Sequence, residues 1–154
     1  MAARRFIVSA AFLMLLSACA SIPDSAPRYE RLPPAPDNLV NVYLYRVGAN
    51  PTKRTPTIYI DEREVFDPPE RAYTVLNLSP GKHSVATRWL WDTGAPNLSF
   101  PIDIPVGESY YLKLSGDFKT SGGYWKTTSV VFHVDEKIAE QELKNCCRYL
   151  PSKY

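Results

Sequence analysis

Histidine is nearly missing from this chain, with 2 copies in 154 residues, and the spacings that histidine chemistry uses are missing with it. There is no His-Glu-x-x-His run, no Cys/His spacing suited to a metal and no Gly-x-Ser-x-Gly nucleophile turn. Glycine is also sparse. Gly116, Gly122 and Gly123 flank a loop, but no Gly-Lys-Ser/Thr follows, so no phosphate-cradling loop is specified. Asp61, Glu62 and Glu64 sit together at a polar turn with nothing apolar beside them to raise a carboxyl pKa. They read as a solvated turn rather than a glycosidase pair. No apolar run reaches the 18 or so residues that crossing a bilayer requires. The sequence therefore offers no catalytic residue, no metal ligand set and no cofactor.

What is present starts at the N-terminus. Arg4 and Arg5 precede an apolar run from Phe6 to Leu16, broken only by Ser9, and Leu16-Ser17-Ala18-Cys19 closes it. At roughly 11 residues, this run has signal-peptide length. Small Ser17 and Ala18 suit a peptidase cleft, and the Cys19 thiol can carry a lipid. The stretch resembles the processing box of bacterial lipoproteins. That resemblance implies removal of residues 1–18 by cleavage between Ala18 and Cys19, with Cys19 acylated as the new first residue. Ala20 in place of aspartate resembles the sorting pattern for the outer membrane, so the expected site is its periplasmic side. An ordinary signal with a chance cysteine, or an uncut N-terminal anchor, would be the alternatives.

Without Arg4 and Arg5, 16 Lys+Arg face 16 Asp+Glu, and the formal charge is zero. No basic surplus argues for a nucleic-acid partner. With Cys19 set aside, Cys146 and Cys147 remain in a compartment that permits disulfides. Adjacent cysteines have Cα atoms about 3.8 Å apart, below the usual disulfide range. Free or buried thiols, an intermolecular bridge and a vicinal bridge all stay open.

Residues 19–38 hold Pro23, Pro27, Pro33, Pro34 and Pro36, which disfavour helix and sheet. A lipidated tether of about 3.1 Å per residue is expected, reaching up to roughly 60 Å. The other reading has Tyr29 to Leu32 packing along the domain as an irregular arm. Residues 39–154 form one domain. From Leu39 the pattern is period two, with breaks at Gly48-Ala49-Asn50-Pro51, Asp61-Glu62-Arg63-Glu64, Ser79-Pro80-Gly81-Lys82 and Asp92 to Pro96. Pro80 and Gly81 suit the central positions of a type II turn. Leu98, Phe100, Ile102 and Ile104 form one face of a strand that Pro101 places at an edge. Tyr110, Leu112 and Leu114 form another inward face, and Val130, Phe132 and Val134 a third. The fold class expected is all-β, an antiparallel β-sandwich of seven or eight short strands. One C-terminal helix over about 135–147 is capped by Asp135, with Ile138, Ala139, Leu143, Cys146 and Cys147 on one side.

Val42-Tyr43-Leu44-Tyr45-Arg46, Ile58-Tyr59-Ile60-Asp61, Leu78-Ser79-Pro80-Gly81-Lys82-His83 and Gly107-Glu108-Ser109-Tyr110-Tyr111 resemble an uncharacterised bacterial lipoprotein family, domain of unknown function 2846. Its character is that of PEGA-type and transthyretin-like sandwiches. The likeness runs from about Leu39 to Val134. It implies a β-sandwich in the envelope and brings no activity.

The candidate binding residues are aromatic. Trp89 and Trp91 fall on the strand face that carries Val85 and Thr87, and Trp91 adjoins a loop. Tyr124 and Trp125 follow Gly122-Gly123. Rings at loop mouths can stack on sugars or anchor a protein; for Trp89 and Trp125 filling the core is the leading alternative, and for Trp91 and Tyr124 the two readings stand level. The function expected is a non-catalytic binding or structural module held to the membrane by its N-terminal lipid. Its partner is an envelope protein, a glycan or peptidoglycan. The alternative is a cell-wall hydrolase with a cryptic site near His83 or His133.

Overall fold

A computed structural model describes residues 22–36, 38–49, 54–121 and 124–153. Strand β1 (Val40–Ala49) organises it, because both of its faces are covered. Val40, Val42 and Leu44 point into one apolar cluster, while Tyr43 and Tyr45 point into a second on the opposite face. The chain then weaves between two sheets through β2 (Thr57–Ile60), β3 (Arg63–Phe66), β4 (Ala72–Leu78), β5 (Gly81–Arg88) and β6 (Leu98–Ile104). It continues through β7 (Ser109–Ser121), β8 (Tyr124–His133), helix α1 (Glu136–Cys146) and the two-residue β9 (Arg148–Tyr149). One sheet has the order β8-β7-β1-β4-β9 and the other β3-β2-β5-β6. The first apolar cluster draws Ile58, Val65, Val85 and Ile104 from one sheet and Leu44, Leu76, Leu112 and Val131 from the other. The core therefore lies between the sheets.

The architecture is mostly β with one C-terminal helix, and among the described residues it has nine strands rather than seven or eight. It is also not wholly antiparallel. β1 runs parallel to β7, with Asn41 opposite Ser109, and β4 runs parallel to β9. The Ser79-Pro80 turn, with Gly81 at φ 116°, does not close a hairpin but carries the chain from one sheet to the other. A true hairpin joins β2 to β3, and both Asp61 and Glu62 take positive φ in it, 48° and 66°. That pair of values is the turn geometry that matches the right-handed twist of the flanking strands. β6 lies at a sheet edge, as Pro101 requires.

On β8 the inward set differs from expectation. Thr127, Ser129 and Val131 face the core, while Val130 and Phe132 are exposed. Val130, Phe132 and Val134 do share a face, but it is the helix side of the sheet, and of the three only Val134 belongs to the cluster beneath α1. An 11-residue helix is about 16 Å long and cannot cover the whole strand. Asp135 caps α1, its carboxylate accepting from the Lys137 N–H at 3.0 Å. Ala139, Leu143 and Cys147 are buried, whereas Ile138 is 56% exposed, one step off the covered face.

The proline-rich segment lies against the domain from Ile22 onward. Arg28 pairs with Arg148, Tyr149 N–H donates to Pro27 O at 2.8 Å, and Asn41 Nδ2 donates to Pro33 O at 2.8 Å. Proline has no N–H to give, but its carbonyl still accepts. Tyr29 is buried among Tyr43 and Tyr73, with ring centroids 5.8 and 5.6 Å away. Tyr43 stacks on Tyr111 at 4.9 Å. The outer face of the five-stranded sheet is thus covered over β7, β1 and β4 by a tyrosine layer under α1 and the arm, while Val130 and Phe132 of β8 stay exposed.

Candidate functional site

The chain leaving β5 carries two of the candidate aromatics, Trp89 and Trp91. Val85 and Thr87 are buried, and Trp89 continues their side of the strand into the core. Its indole N–H donates to Ser129 Oγ at 3.1 Å, and its backbone N–H donates to Asn97 Oδ1 at 2.8 Å. The strand alternation then stops. Leu90 is extended, Trp91–Thr93 form a single 3-10 turn, and Gly94 ends it in the left-handed region at φ 62°. Thr93 fixes this turn by donating from Oγ1 to Leu90 O at 2.7 Å. The turn swings Trp91 away from the core, so that its ring is 94% exposed next to a Leu90 that is 54% exposed. The base beneath is held firmly. Asp92 accepts from Arg54 at 2.5 Å, and Thr127 Oγ1 donates to Thr93 O at 3.3 Å. An exposed apolar pair on an anchored turn loses little freedom on docking. Tyr124 and Trp125 belong to β8 by their backbone, but their side chains lie outside the described residues. Ala18 and Cys19 lie outside them too.

The two histidines are far from equivalent. His83 Nδ1 faces Asp61 Oδ2 at 2.6 Å, and Nε2 faces Ser79 O at 2.8 Å. Both ring nitrogens meet acceptors, which only the imidazolium can satisfy at once. Burial alone would lower the His83 pKa, but hydrogen bonds to Asp61 and Ser79 and the Asp61 charge outweigh it and raise the value. Burial likewise opposes ionisation of Asp61, yet the Ser84 N–H and His83 hold its carboxyl below the usual range. Ser84 Oγ approaches Asp61 Oδ1 at 3.4 Å. The side-chain partners of His83 are thus a carboxylate and not a nucleophile, and neither nitrogen is left to act as a base. His133 is exposed and stacks on Tyr110 at 4.5 Å.

Cys146 and Cys147 are joined to each other as a vicinal disulfide, with Cα atoms 3.7 Å apart. Among the described residues no group of three or more His, Cys, Asp or Glu side chains could hold a metal ion. No described helix is long and apolar enough to cross a membrane.

One residue that sequence reasoning passed over dominates the corner around Trp89. Arg46 is fully buried, and its guanidinium donates to the carbonyls of Ala49 (2.8 Å), Arg54 (2.8 Å) and Pro68 (3.0 Å). Glu70 Oε2 stands 3.5 Å from Nε, and the guanidinium carbon lies 5.4 Å from the centre of the Trp89 ring. Burial pulls its pKa down and Glu70 opposes that. The available signal was its even place in β1, on the side of Val42 and Leu44 that faces the inter-sheet core.

The family described as Protein of unknown function (DUF2846) matches residues 36–124, and the chain belongs to it. The match takes in Arg46, His83, Trp89 and Trp91 and stops short of α1, Cys146 and Cys147. No curated protein and no solved structure matches the chain.

Proposed function

We propose that this family member is a lipid-anchored module of the outer membrane, facing the periplasm and binding an envelope protein, glycan or peptidoglycan without catalysing a reaction. Its two sheets are taken as a β-sandwich, and the turn at Trp91 as the contact surface. The observation that carries the binding reading is the exposed Leu90-Trp91 pair on a turn fixed by Thr93, Asp92 and Thr127. Large exposed apolar side chains on a rigid base are the kind of anchor that recognition surfaces use. Anchoring rests on Leu16-Ser17-Ala18-Cys19, and the membrane would raise the effective concentration of a partner in the same envelope. Less supports a hydrolase, because both nitrogens of His83 are spent on Asp61 and Ser79.

A photo-crosslinking residue placed at position 91 tests the surface in intact cells. A defined adduct is expected from position 91 and not from Val106, which is 88% exposed elsewhere. Equal labelling from both sites would remove the proposed surface. Separately, Cys19→Ser should abolish incorporation of labelled fatty acid and release the chain from the membrane fraction. Retention with label intact would overturn the anchoring.

A further inference from the structure

Between the N-terminal arm, the end of α1 and β9 lies a cleft of about 430 Å³ that the functional reading leaves unused. Arg28, Arg71, Lys144 and Arg148 line it, with Asp24 as the one carboxylate among them. Arg28 pairs directly with Arg148 across the backbone bridge, and the Arg148 N–H donates to Arg71 O at 3.1 Å. Three arginines thus stand on adjacent chain segments at one level. Like charges opposite each other across strands are destabilising. Among the described residues no ion pair relieves Arg28, Arg71 or Arg148, and the Lys144 partner is Glu140 on its own helix. Arg71 is moreover held at φ 68°, a conformation that side chains other than glycine and asparagine rarely accept. Arg148 Nη1 donates to Ala26 O at 2.8 Å, which satisfies one donor without neutralising the charge, and a strained Arg71 beside two further arginines that lack an ion pair points to a ligand.

The sign of that ligand follows from the charges. With Lys144 paired to Glu140, three arginines against Asp24 leave a surplus of about two, whereas the α1 C-terminus contributes only about half a negative charge. Arginine forks match phosphate oxygens in pairs. The location narrows the source, because Ile22 lines the cleft and stands three residues from Cys19. Three residues span at most about 11 Å. We propose that this cleft binds the phosphodiester headgroup of an anionic phospholipid in the leaflet that holds the chain. The location rests on the anchoring reading above; the charge argument does not.

The test uses the full chain in non-ionic, phosphate-free detergent micelles, with thermal unfolding as readout. Doping the micelles with phosphatidylglycerol should raise Tm by roughly 3 °C or more, and phosphatidylcholine should not. Inorganic phosphate or glycerol phosphate at the same phosphate concentration should give less than half that rise. An equal rise would assign the cleft to a soluble phosphate and overturn the lipid source. Arg71→Gly separates ligand binding from a structural role. It should raise Tm in plain micelles, by releasing the φ constraint, while losing most of the lipid-dependent rise. Arg28→Gln should lose that rise as well. An undiminished rise in both variants, or none in the parent chain, refutes the site. The intact mass of the same preparation reports on Cys19 independently. An unmodified Cys19 with the lipid shift retained removes the anchor and keeps the cleft, and the reverse result removes the cleft alone.

Discussion

Replacing Arg46 tests how far one buried cation holds the Trp89 corner together. Its guanidinium reaches three carbonyls from three stretches of chain: Ala49 at the end of β1, Arg54 before β2 and Pro68 between β3 and β4. It also lies over Trp89. Arg46→Met removes the charge and leaves those carbonyls without their donor, and each unsatisfied buried acceptor costs about 1–3 kcal/mol. Recovery of the cation's desolvation cost offsets part of this. Glu70 is partly exposed, so water can take over its side of the pair. The net loss is expected at about 3–5 kcal/mol, a large part of the roughly 5–15 kcal/mol that a domain possesses. Arg46→Lys keeps the charge but replaces a planar fork with a point, and should lose about 2 kcal/mol. Urea unfolding at pH 7, followed by tryptophan fluorescence and by circular dichroism, gives both values. A loss below about 1 kcal/mol for Arg46→Met would mean that the three carbonyls find other donors without cost, and the role given to Arg46 would be wrong.

Other perturbations have definite signs. Glu62 sits at φ 66° with no ion pair among the described residues, so Glu62→Gly should stabilise by about 1 kcal/mol in the same urea experiment. The raised His83 pKa makes its contribution complete below about pH 6.5 and lost as pH climbs through the folded value. The depressed Asp61 value makes that group's contribution present above about pH 4 and lost on further acidification. Stability measured from pH 4 to 9 should therefore show a component that declines above pH 6.5. It should not exceed about 1 kcal/mol, because Asp61 is half exposed, and it should vanish in His83→Gln. The tryptophans should separate cleanly. Trp89→Ala should lose about 3–5 kcal/mol and Trp91→Ser less than about 0.5 kcal/mol, as read from denaturation midpoints.

Much of the strand pattern was legible because one face of each strand is apolar. Leu98, Phe100, Ile102 and Ile104 alternate as read, and Tyr110, Leu112 and Leu114 enter the core. Parallel pairing of β1 with β7 was not legible, since period two is the same for either direction. The β8 faces misled because Val130 and Val131 are adjacent and both apolar, while Ser129 is in the core to accept from Trp89. The candidate site was legible only in part. Trp91 follows its strand neighbours in sequence parity, but Gly94 and Thr93 convert the strand end into a turn that no alternation encodes. Prolines 27 and 33 argued for a free tether, whereas their carbonyls and the Tyr29 ring bind the segment down. The weak signal there was a tyrosine within a proline-rich stretch.

The parallel pairing of β1 with β7 also sets when this chain can finish folding. Asn41 must find Ser109, and of the five intervening strands β4 takes the other edge of β1 while β2, β3, β5 and β6 build the second sheet. Connections between such distant positions form slowly, because loop entropy is spent before any contact is made. The middle of the larger sheet stays open until the last third of the polypeptide arrives. For a chain exported as proposed here, late closure keeps it threadable through a translocation channel.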